Sequence, residues 1–489
     1  MVLSALVQSR IRAVSSVKSS NLGTFGHPCA LQALTGSTKD VESNLSVCPA
    51  PVASILNPNR RRTTIKKTTK PSKKEIPVKE TGLRAAEIYC APPPPPKGRI
   101  IGLDCHPDTY TAAVFRGATP HDARKLCTRE NLSLQRLLDW AAGEFAREDL
   151  FLLEAGSNSF EIHRRLLALG LRAVVLESAH VGKHAKTYAD NDKMAAARIA
   201  LVYLAGNAPC VWVPDPKSCE RRELLHAHQN AVAGHTAALN SLKSYLNGFA
   251  IRPGSRGLQL ERTQAWLLQQ RDWSPLQREL LASYFAQLRS QDQRRKHLTR
   301  LIAAQVSAEP LMLRAMKLLG IGMINAFALL AIIGEVRRFD RPEKLVAYIG
   351  LNPGQRQSGA GKQVKLGVGK RGRGDLRHLL IQGAQAVLRT GRGTSLGQWG
   401  WKLFARKGER NLAVAAVARK LVVQVWHLLN GNPPTALDAN KSLAIKLQKL
   451  AVTLGKSMRA RLGLPSNLKH CILELQKRIL CHAIFCEPI

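Results

Sequence analysis

The sequence has no Cys-x-x-Cys pair, although its 489 residues include ten cysteines. That absence removes the usual signature of a zinc ribbon or a thiol-redox motif, and cysteines this sparse do not make a disulfide scaffold. They fit a reducing compartment. The nearest approach to a metal cluster is His470, Cys471, Cys481, His482 and Cys486, which exposed histidines and buried cysteines explain equally well. Long apolar runs are also missing. The longest, Met323 to Gly334, is interrupted by Asn325 and is too short to cross a bilayer, so a membrane-spanning protein is not expected. Acidic residues are scarce, with 34 Asp and Glu against 73 Lys and Arg, a formal charge of +39. Such a surplus makes a compact chain repel itself unless a polyanion neutralises it. Nucleic acid is the first candidate and an anionic membrane surface the weaker one.

What is present is ample apolar material, 45% of residues, in a chain long enough for roughly two to four structural units. Residues 1–97 stand apart, being rich in Ser, Thr, Pro and Lys and closing on the run Pro92 to Pro96. That composition cannot offset the entropy of ordering and reads as a disordered basic extension. Its lack of acids before Asp40 resembles a transit peptide in composition, but a plain unstructured extension explains it better, and organellar targeting is not expected. The cluster Arg60, Arg61, Arg62, Lys66, Lys67, Lys70, Lys73 and Lys74 would hold any polyanion without sequence choice.

Structure is expected from Gly98. Arg99 to Asp104 is an apolar run ending in an acid, Tyr110 to Arg116 a second strand, and Leu132 to Glu148 contains a helix. Leu150 to Glu154 is again an apolar run ending in an acid, followed by an amphipathic helix from Glu161 to Leu169 and a buried strand from Arg172 to Leu176. The first unit is therefore α/β. From about Cys219 to Gln305 long helices take over, two or three of them, with a coiled-coil hairpin as one arrangement. A last organised unit runs from about Leu311 to Asn430, and the remainder is basic and weakly helical.

Asp104 and Glu154 close two buried strands, where ligands of α/β units gather. Burying such acids costs several kcal/mol unless they are paired or bind a metal. Either acid alone reads as an exposed strand end. The pair, with Asp190-Asn191-Asp192 at the head of a helix over Lys193 to Leu204, points to Mg²⁺ or Mn²⁺ held by oxygen donors and to two-metal phosphodiester chemistry.

Further on, Leu318-Leu-Gly320-Ile-Gly322 looks like a helix-hairpin-helix, with Gly320 and Gly322 freeing backbone amides for a phosphate, or else like a mere tight turn. Gly350-Leu-Asn-Pro353 opens a loop carrying Ser358-Gly359, then Lys362, Lys365, Lys370, Arg371 and Arg373, with no acid until Asp375. A hydroxyl among five cations suits a nucleophile toward phosphorus, although an ordinary serine in a phosphate-binding stretch fits the same residues.

These stretches together resemble the transposases of the insertion-sequence-110 family, recombinases of mobile elements with a RuvC-like acidic domain and a C-terminal serine domain. The resemblance covers Arg99 to about Asn430. It rests on Ile101-Gly-Leu-Asp104, Leu153-Glu154-Ala-Gly156, Asn191-Asp192 leading into an Ala-rich helix, Leu319-Gly-Ile-Gly322, Tyr348-Ile-Gly-Leu-Asn-Pro353, Ser358-Gly359, Gly369-Lys370-Arg371-Gly372 and Leu376-Arg377. It implies a ribonuclease-H-like fold over 98–214 in which the first strand lies beside the fourth, bringing Asp104 and Glu154 together. It further implies a helical coiled-coil linker over 215–308 and a mostly helical serine transposase domain with the helix-hairpin-helix over 309–432; beyond the resemblance, residues 433–489 read as a basic helical tail.

By the same resemblance Ser358 forms a covalent phosphoserine link to DNA, assisted by Asp104, Glu154, Asp192 and Mg²⁺. Partners would be DNA, a structured guide RNA and further copies of the chain as a dimer or tetramer, in a bacterial cytoplasm beside the nucleoid. One position departs from the family pattern of two aspartates one helical turn apart. Asp192 fills the first place, Ala195 stands in the second, and Asp190 lies two residues back. Two rivals remain: a RuvC-type junction endonuclease using only the acids, and a catalytically decayed nucleic-acid-binding relative.

Overall fold

The computed structural model describes Pro93 and residues 96–183, 191–254, 256–356, 364–369, 371–432 and 440–484, with backbone alone at 355–356, 364–366, 440–441 and 480–484. Apart from Pro93, Pro96 and Lys97, the basic extension lies outside these residues.

Five strands form one sheet: β1 (Ile100–Cys105), β2 (Tyr110–Arg116), β3 (Arg124–Leu132), β4 (Leu150–Glu154) and β5 (Arg172–Leu176), in the order β3-β2-β1-β4-β5. The first three pair antiparallel, while β1–β4 and β4–β5 are parallel. β1 and β4 are central, and their continuous apolar runs suit strands covered on both faces. Ile101, Leu103, Phe151 and Leu153 pack on one side against helices α1 (Leu134–Glu144) and α2 (Ser159–Ala168). Ile100, Leu150 and Leu152 pack on the other against α4 (Asp192–Leu204), which follows the short α3 (Ser178–Gly182).

The sequence pattern overlooked β3. Arg124, Lys125, Arg129 and Glu130 are exposed on it, as on an edge strand protected by charge, so it lacks the apolar alternation that reveals a strand. The helix expected over Leu132 to Glu148 is shorter at both ends, because Leu132 still belongs to β3 and Phe145 leaves the helix in extended conformation.

Two long helices follow, α5 (Pro216–Asn247) and α7 (Pro275–Ala308), with α6 (Glu261–Leu268) between them. Each long helix starts with Pro at its first position behind a capping side chain, Asp215 or Ser274. They run antiparallel. Arg221 pairs with Glu309 at 2.6 Å, His228 Nε2 meets Thr299 Oγ1 at 3.1 Å, and Leu246 shares a cluster with Leu281 and Trp273 at the far tip.

The rest is helical: α8 (Pro310–Ala315), α9 (Met323–Ile333), a 3₁₀ turn at Val336–Arg338, α10 (Pro342–Ile349), α11 (Gly374–Thr390), α12 (Ser395–Lys407), α13 (Arg410–Leu429), α14 (Asn440–Arg461) and α15 (Leu468–Ile484). A two-stranded hairpin, β6 (Pro353–Arg356) and β7 (Val364–Val368), interrupts them. Helix α13, not the run in α9, is the helix among the described residues long and apolar enough to cross a membrane. Its Val414, Val417, Leu421, Val422 and Val425 are nevertheless spent on the core.

The segment read as a basic tail supplies two helices to that same core through Leu443, Leu447, Leu450, Leu454, Leu475 and Ile479. Lys446 fastens it, donating from Nζ to the carbonyls of Met316 at 2.8 Å and Leu318 at 2.7 Å, and burial pushes its amine down to about 8. Cys471 is fully buried in this core while its neighbour His470 is exposed, so the two do not face one another as ligands; Cys486 lies outside the described residues.

Candidate functional site

The acidic site begins with the pleat of β1. Ile101 and Leu103 face α1 and α2, so Ile100, Gly102 and Asp104 face α4. β4 runs parallel in register, with Leu103 opposite Leu153, so Glu154 stands one step on beside Asp104 and on the same face. Both are half-buried. Gly102 then decides how close α4 lies. A Cβ there would collide with the carbonyl of Ala196 and stand 3.0 Å from the nitrogen of Ala200, so only glycine lets the helix rest on the strand. The first turn of α4 is thereby carried to the end of β1, with Asn191 capping it by accepting from the Met194 amide at 2.9 Å.

Asp192 opens that helix. The imidazole of His106, just past β1, bridges it to Asp104: Nε2 is 3.3 Å from Asp192 Oδ1 and 3.4 Å from Asp104 Oδ2. Ligand atoms of Asp104, His106 and Asp192 all lie within 4.8 Å of one another. The loop carrying His106 is held in place, since its carbonyl accepts from Asn158 Nδ2 at 2.8 Å and its amide donates to the carbonyl of Thr109 at 3.0 Å. Burial lifts Asp104 above the ordinary carboxylate range, with Asp192 pushing the same way and His106 opposing. The Asp192 and His106 side chains are 51% and 47% exposed, so a ligand can reach them from solvent.

As a donor set, hard carboxylate oxygens with one imidazole nitrogen suit a divalent ion of the Mg²⁺ and Mn²⁺ class. Ala195, where the family pattern has a second aspartate, is half-buried on α4 and offers no donor, and Asp190 lies outside the described residues. His106 escaped the sequence reading. Its only signal there was a position two residues past Asp104, and proximity to Asp192 arises only from the fold.

Of the loop expected to carry the serine, the base is described. Ser358, Lys362 and Lys370 lie outside the described residues, and Lys365 is described as backbone in β7. β6 and β7 pair antiparallel, with Pro353 opposite Val368 and Arg356 opposite Val364. Beneath them two left-handed glycines interlock, Gly350 at φ 81° and Gly372 at φ 82°, the latter so close that a Cβ would stand 2.7 Å from the Gly350 nitrogen. Arg377 Nη1 ties this turn, donating to the carbonyls of Arg371 at 2.7 Å and Ile349 at 3.1 Å. Arg371 is exposed, whereas Arg373 is half-buried and grips Asp375 through Nη2 at 2.7 Å and Nε at 3.1 Å.

Behind the turn sits Tyr348. Burial by itself would push its phenol up, but Arg338, Arg373 and Arg222 outweigh it and hold the group below the usual tyrosine value. Arg338 lies 4.5 Å from the Tyr348 ring centroid and 4.6 Å from that of Trp212, and Arg222 lies 5.3 Å from Trp212. The sequence reading missed Arg222 and Arg338, which come from distant elements.

Gly320 and Gly322 differ in their surroundings. Gly320, at φ 82°, abuts the carbonyl of Gly383 on α11, where a Cβ would stand at 2.6 Å. Gly322 has open space around it and, with Met323, Ile324, Asn325, Lys446 and Lys449, lines a cavity of about 180 Å³.

Residues 312–396 match the transposase IS116/IS110/IS902 family. The chain is 27% identical over 282 residues to the transposase for insertion sequence element IS1111A of Coxiella burnetii, covering 57% of this chain and 77% of that protein. It is 29% identical over 290 residues to a probable family 20 transposase of Pseudomonas aeruginosa, covering 58% and 84%. A putative transposase, y4qE, of Sinorhizobium fredii is 26% identical over 308 residues, covering 56% and 74%. The matched residues 312–396 take in Gly320, Gly322 and the loop of Ser358, and the relatives are each spanned over about three quarters of their length or more, so the chain is similar to insertion-sequence transposases of the IS116/IS110/IS902 family.

Proposed function

We propose that this insertion-sequence transposase cleaves and rejoins DNA through Ser358, with Asp104, Glu154, Asp192 and His106 forming a divalent-metal site that assists. The observation that carries the reading is the meeting of Asp104, His106 and Asp192, from separate elements, at the end of β1 beside Glu154. The strand order, with β1 between β2 and β4, supports a ribonuclease-H-like, RuvC-like domain over 98–214. Residues 309–432 serve as the serine transposase domain, with Gly320 and Gly322 in a helix-hairpin-helix directed at the DNA backbone.

In the chemical step Ser358 Oγ bonds to phosphorus as the P–O bond to one DNA strand breaks. The serine proton passes to solvent and the strand leaves as a hydroxyl end. Attack by the hydroxyl of another strand forms the new diester and releases the serine. The residues of this chain supply position and charge. The Gly350–Gly372 turn, fastened by Arg377, holds the base of the serine loop, and Lys362, Lys365, Lys370, Arg371 and Arg373 oppose charge developing on the phosphoryl oxygens. Mg²⁺ or Mn²⁺, when bound, would neutralise phosphate charge and polarise the breaking bond. A structured guide RNA choosing the DNA, and assembly as a dimer or tetramer, complete the proposal, and the charge of +39 suits the load of nucleic acid.

Incubating the protein with nicked DNA and Mg²⁺ or Mn²⁺ should trap an adduct that mass spectrometry places at Ser358. Ser358→Ala should abolish adduct and strand joining, and Asp104→Asn should reduce both at least about a hundredfold while DNA binding persists. Cleavage surviving in Ser358→Ala would make the chain a RuvC-type endonuclease. Well-folded wild-type protein that binds DNA and does neither would make it a non-catalytic relative, the rival reading that Ala195 keeps open.

A further inference from the structure

A cavity of about 270 Å³ opens where the end of α11 meets α12 and α13, and it contains none of the residues assigned above. Leu388, Arg389, Arg392, Trp401, Phe404 and Arg410 line it, three cations and two aromatic rings without an acid. Trp401 is fixed in place, as its Nε1 donates to the carbonyl of Leu388 at 2.8 Å and Phe404 meets it edge-on at 5.6 Å. The Arg392 guanidinium lies 4.7 Å from the indole centroid. Arg389, Arg392 and Arg410 are exposed, and among the described residues no carboxylate comes within ion-pair range of them. Nearby, Lys420 Nζ lies 4.2 Å from the centroid of Trp399. From Arg389 to Lys420 the chain carries eight cations and one acid, Glu409.

Cations alone would serve a phosphate backbone, which has no use for an aromatic wall. Flat rings and guanidinium planes interleaved with unpaired cations suit a nucleobase, whose π-face stacks on either. Within a duplex that face is covered by neighbouring base pairs, so the base must come from an unpaired segment. The volume, roughly that of nine liquid waters, accommodates one base. We infer that this cavity binds an unpaired nucleotide of a single-stranded RNA or DNA segment, its base stacked on the Arg392–Trp401 pair and its flanking phosphates held by Arg389 and Arg410. The inference rests on nucleic acid as the substrate class and is independent of the acidic cluster and of Ser358.

The test is fluorescence anisotropy with the full chain, without divalent ions, on labelled single-stranded RNA, single-stranded DNA and duplex DNA of one sequence. Trp401→Ala should weaken both single strands by roughly 5- to 100-fold and the duplex by less than about twofold. Arg392→Gln, at an exposed position that leaves the core intact, should act in the same direction should the tryptophan variant fail to fold. The pair Arg389→Gln and Arg410→Gln should reduce the slope of log affinity against log salt for single strands by about 1.4, some 0.7 per phosphate contact. Loss on only one of the two single strands would name the source, RNA or DNA. Equal weakening of single strands and duplex, or no change in either, would overturn the inference. Wild-type protein that binds no nucleic acid would overturn the proposed function with it, whereas binding to duplex alone would sink only this cavity's role.

Discussion

Substituting Gly102 by alanine tests the geometry that joins fold to site. The new Cβ would collide with the Ala196 carbonyl and stand 3.0 Å from the Ala200 nitrogen, where ordinary contact begins at 3.4 Å. Both obstacles are backbone, so no side chain can swing aside. Helix α4 must retreat by more than 0.4 Å, the difference between those two distances, and the nearer carbonyl demands more. Overpacking of this kind costs about 1–3 kcal/mol. The same retreat carries Asp192 away from Asp104, and a metal constellation tolerates only about 0.5 Å. Gly102→Ala should therefore lower the urea midpoint of the sheet domain, followed by circular dichroism, and weaken Mn²⁺ binding followed by the loss of its free-ion electron paramagnetic signal.

Gly143→Ala is the matched control. That glycine is exposed in the last turn of α1 with no atom within 4 Å of a new Cβ, and the change should stabilise by up to about 1 kcal/mol. A Gly102→Ala protein with an unchanged midpoint and an unchanged Mn²⁺ titration would refute the claim that a bare Cα sets the approach of α4.

The other expectations concern single contacts. His106→Ala should weaken Mn²⁺ binding by at least about tenfold while affecting Mg²⁺ less, because imidazole is the donor that favours Mn²⁺; equal losses for both ions would remove His106 from the site. Arg377→Met strips the donors from the carbonyls of Ile349 and Arg371 and should cost about 1.5–3 kcal/mol by thermal denaturation, a loss under about 0.5 kcal/mol counting against the fastened turn. Lys446 is held at about 8 in the folded state against about 10.4 unfolded, so the unfolded chain binds the extra proton between those values and folding gains stability as pH rises through them. Wild-type protein should gain about 2–3 kcal/mol more than Lys446→Met between pH 8 and pH 10, and parallel pH profiles would show that the amine is not desolvated.

Much of the architecture could be read without coordinates. The apolar runs Ile100 to Leu103 and Leu150 to Leu153, each closed by an acid, read as buried strands because they are short and continuous, as strands covered on both faces are. Prolines at the heads of α5 and α7 and the glycines around the serine loop mark boundaries for equally local reasons. Edge strand β3 was hidden because its charges guard an open edge rather than pack inside, so the alternation that betrays a strand is missing. The C-terminal segment was legible as helical, but its place in the core was hidden because its leucines gain meaning only from a partner core contributed by α7 to α13.

For the candidate site, chemistry was legible and assembly was not. Asp104, Glu154 and Asp192 stood out by type and by position at the ends of elements. The place of His106 between two of them, and of Arg222 and Arg338 around Tyr348, depends on which helix crosses which strand. Local sequence determines the conformation of a segment, but contacts between residues a hundred positions apart are chosen by packing. Here that choice turns on a single missing Cβ at Gly102, which lets α4 settle on β1 and carry Asp192 to Asp104.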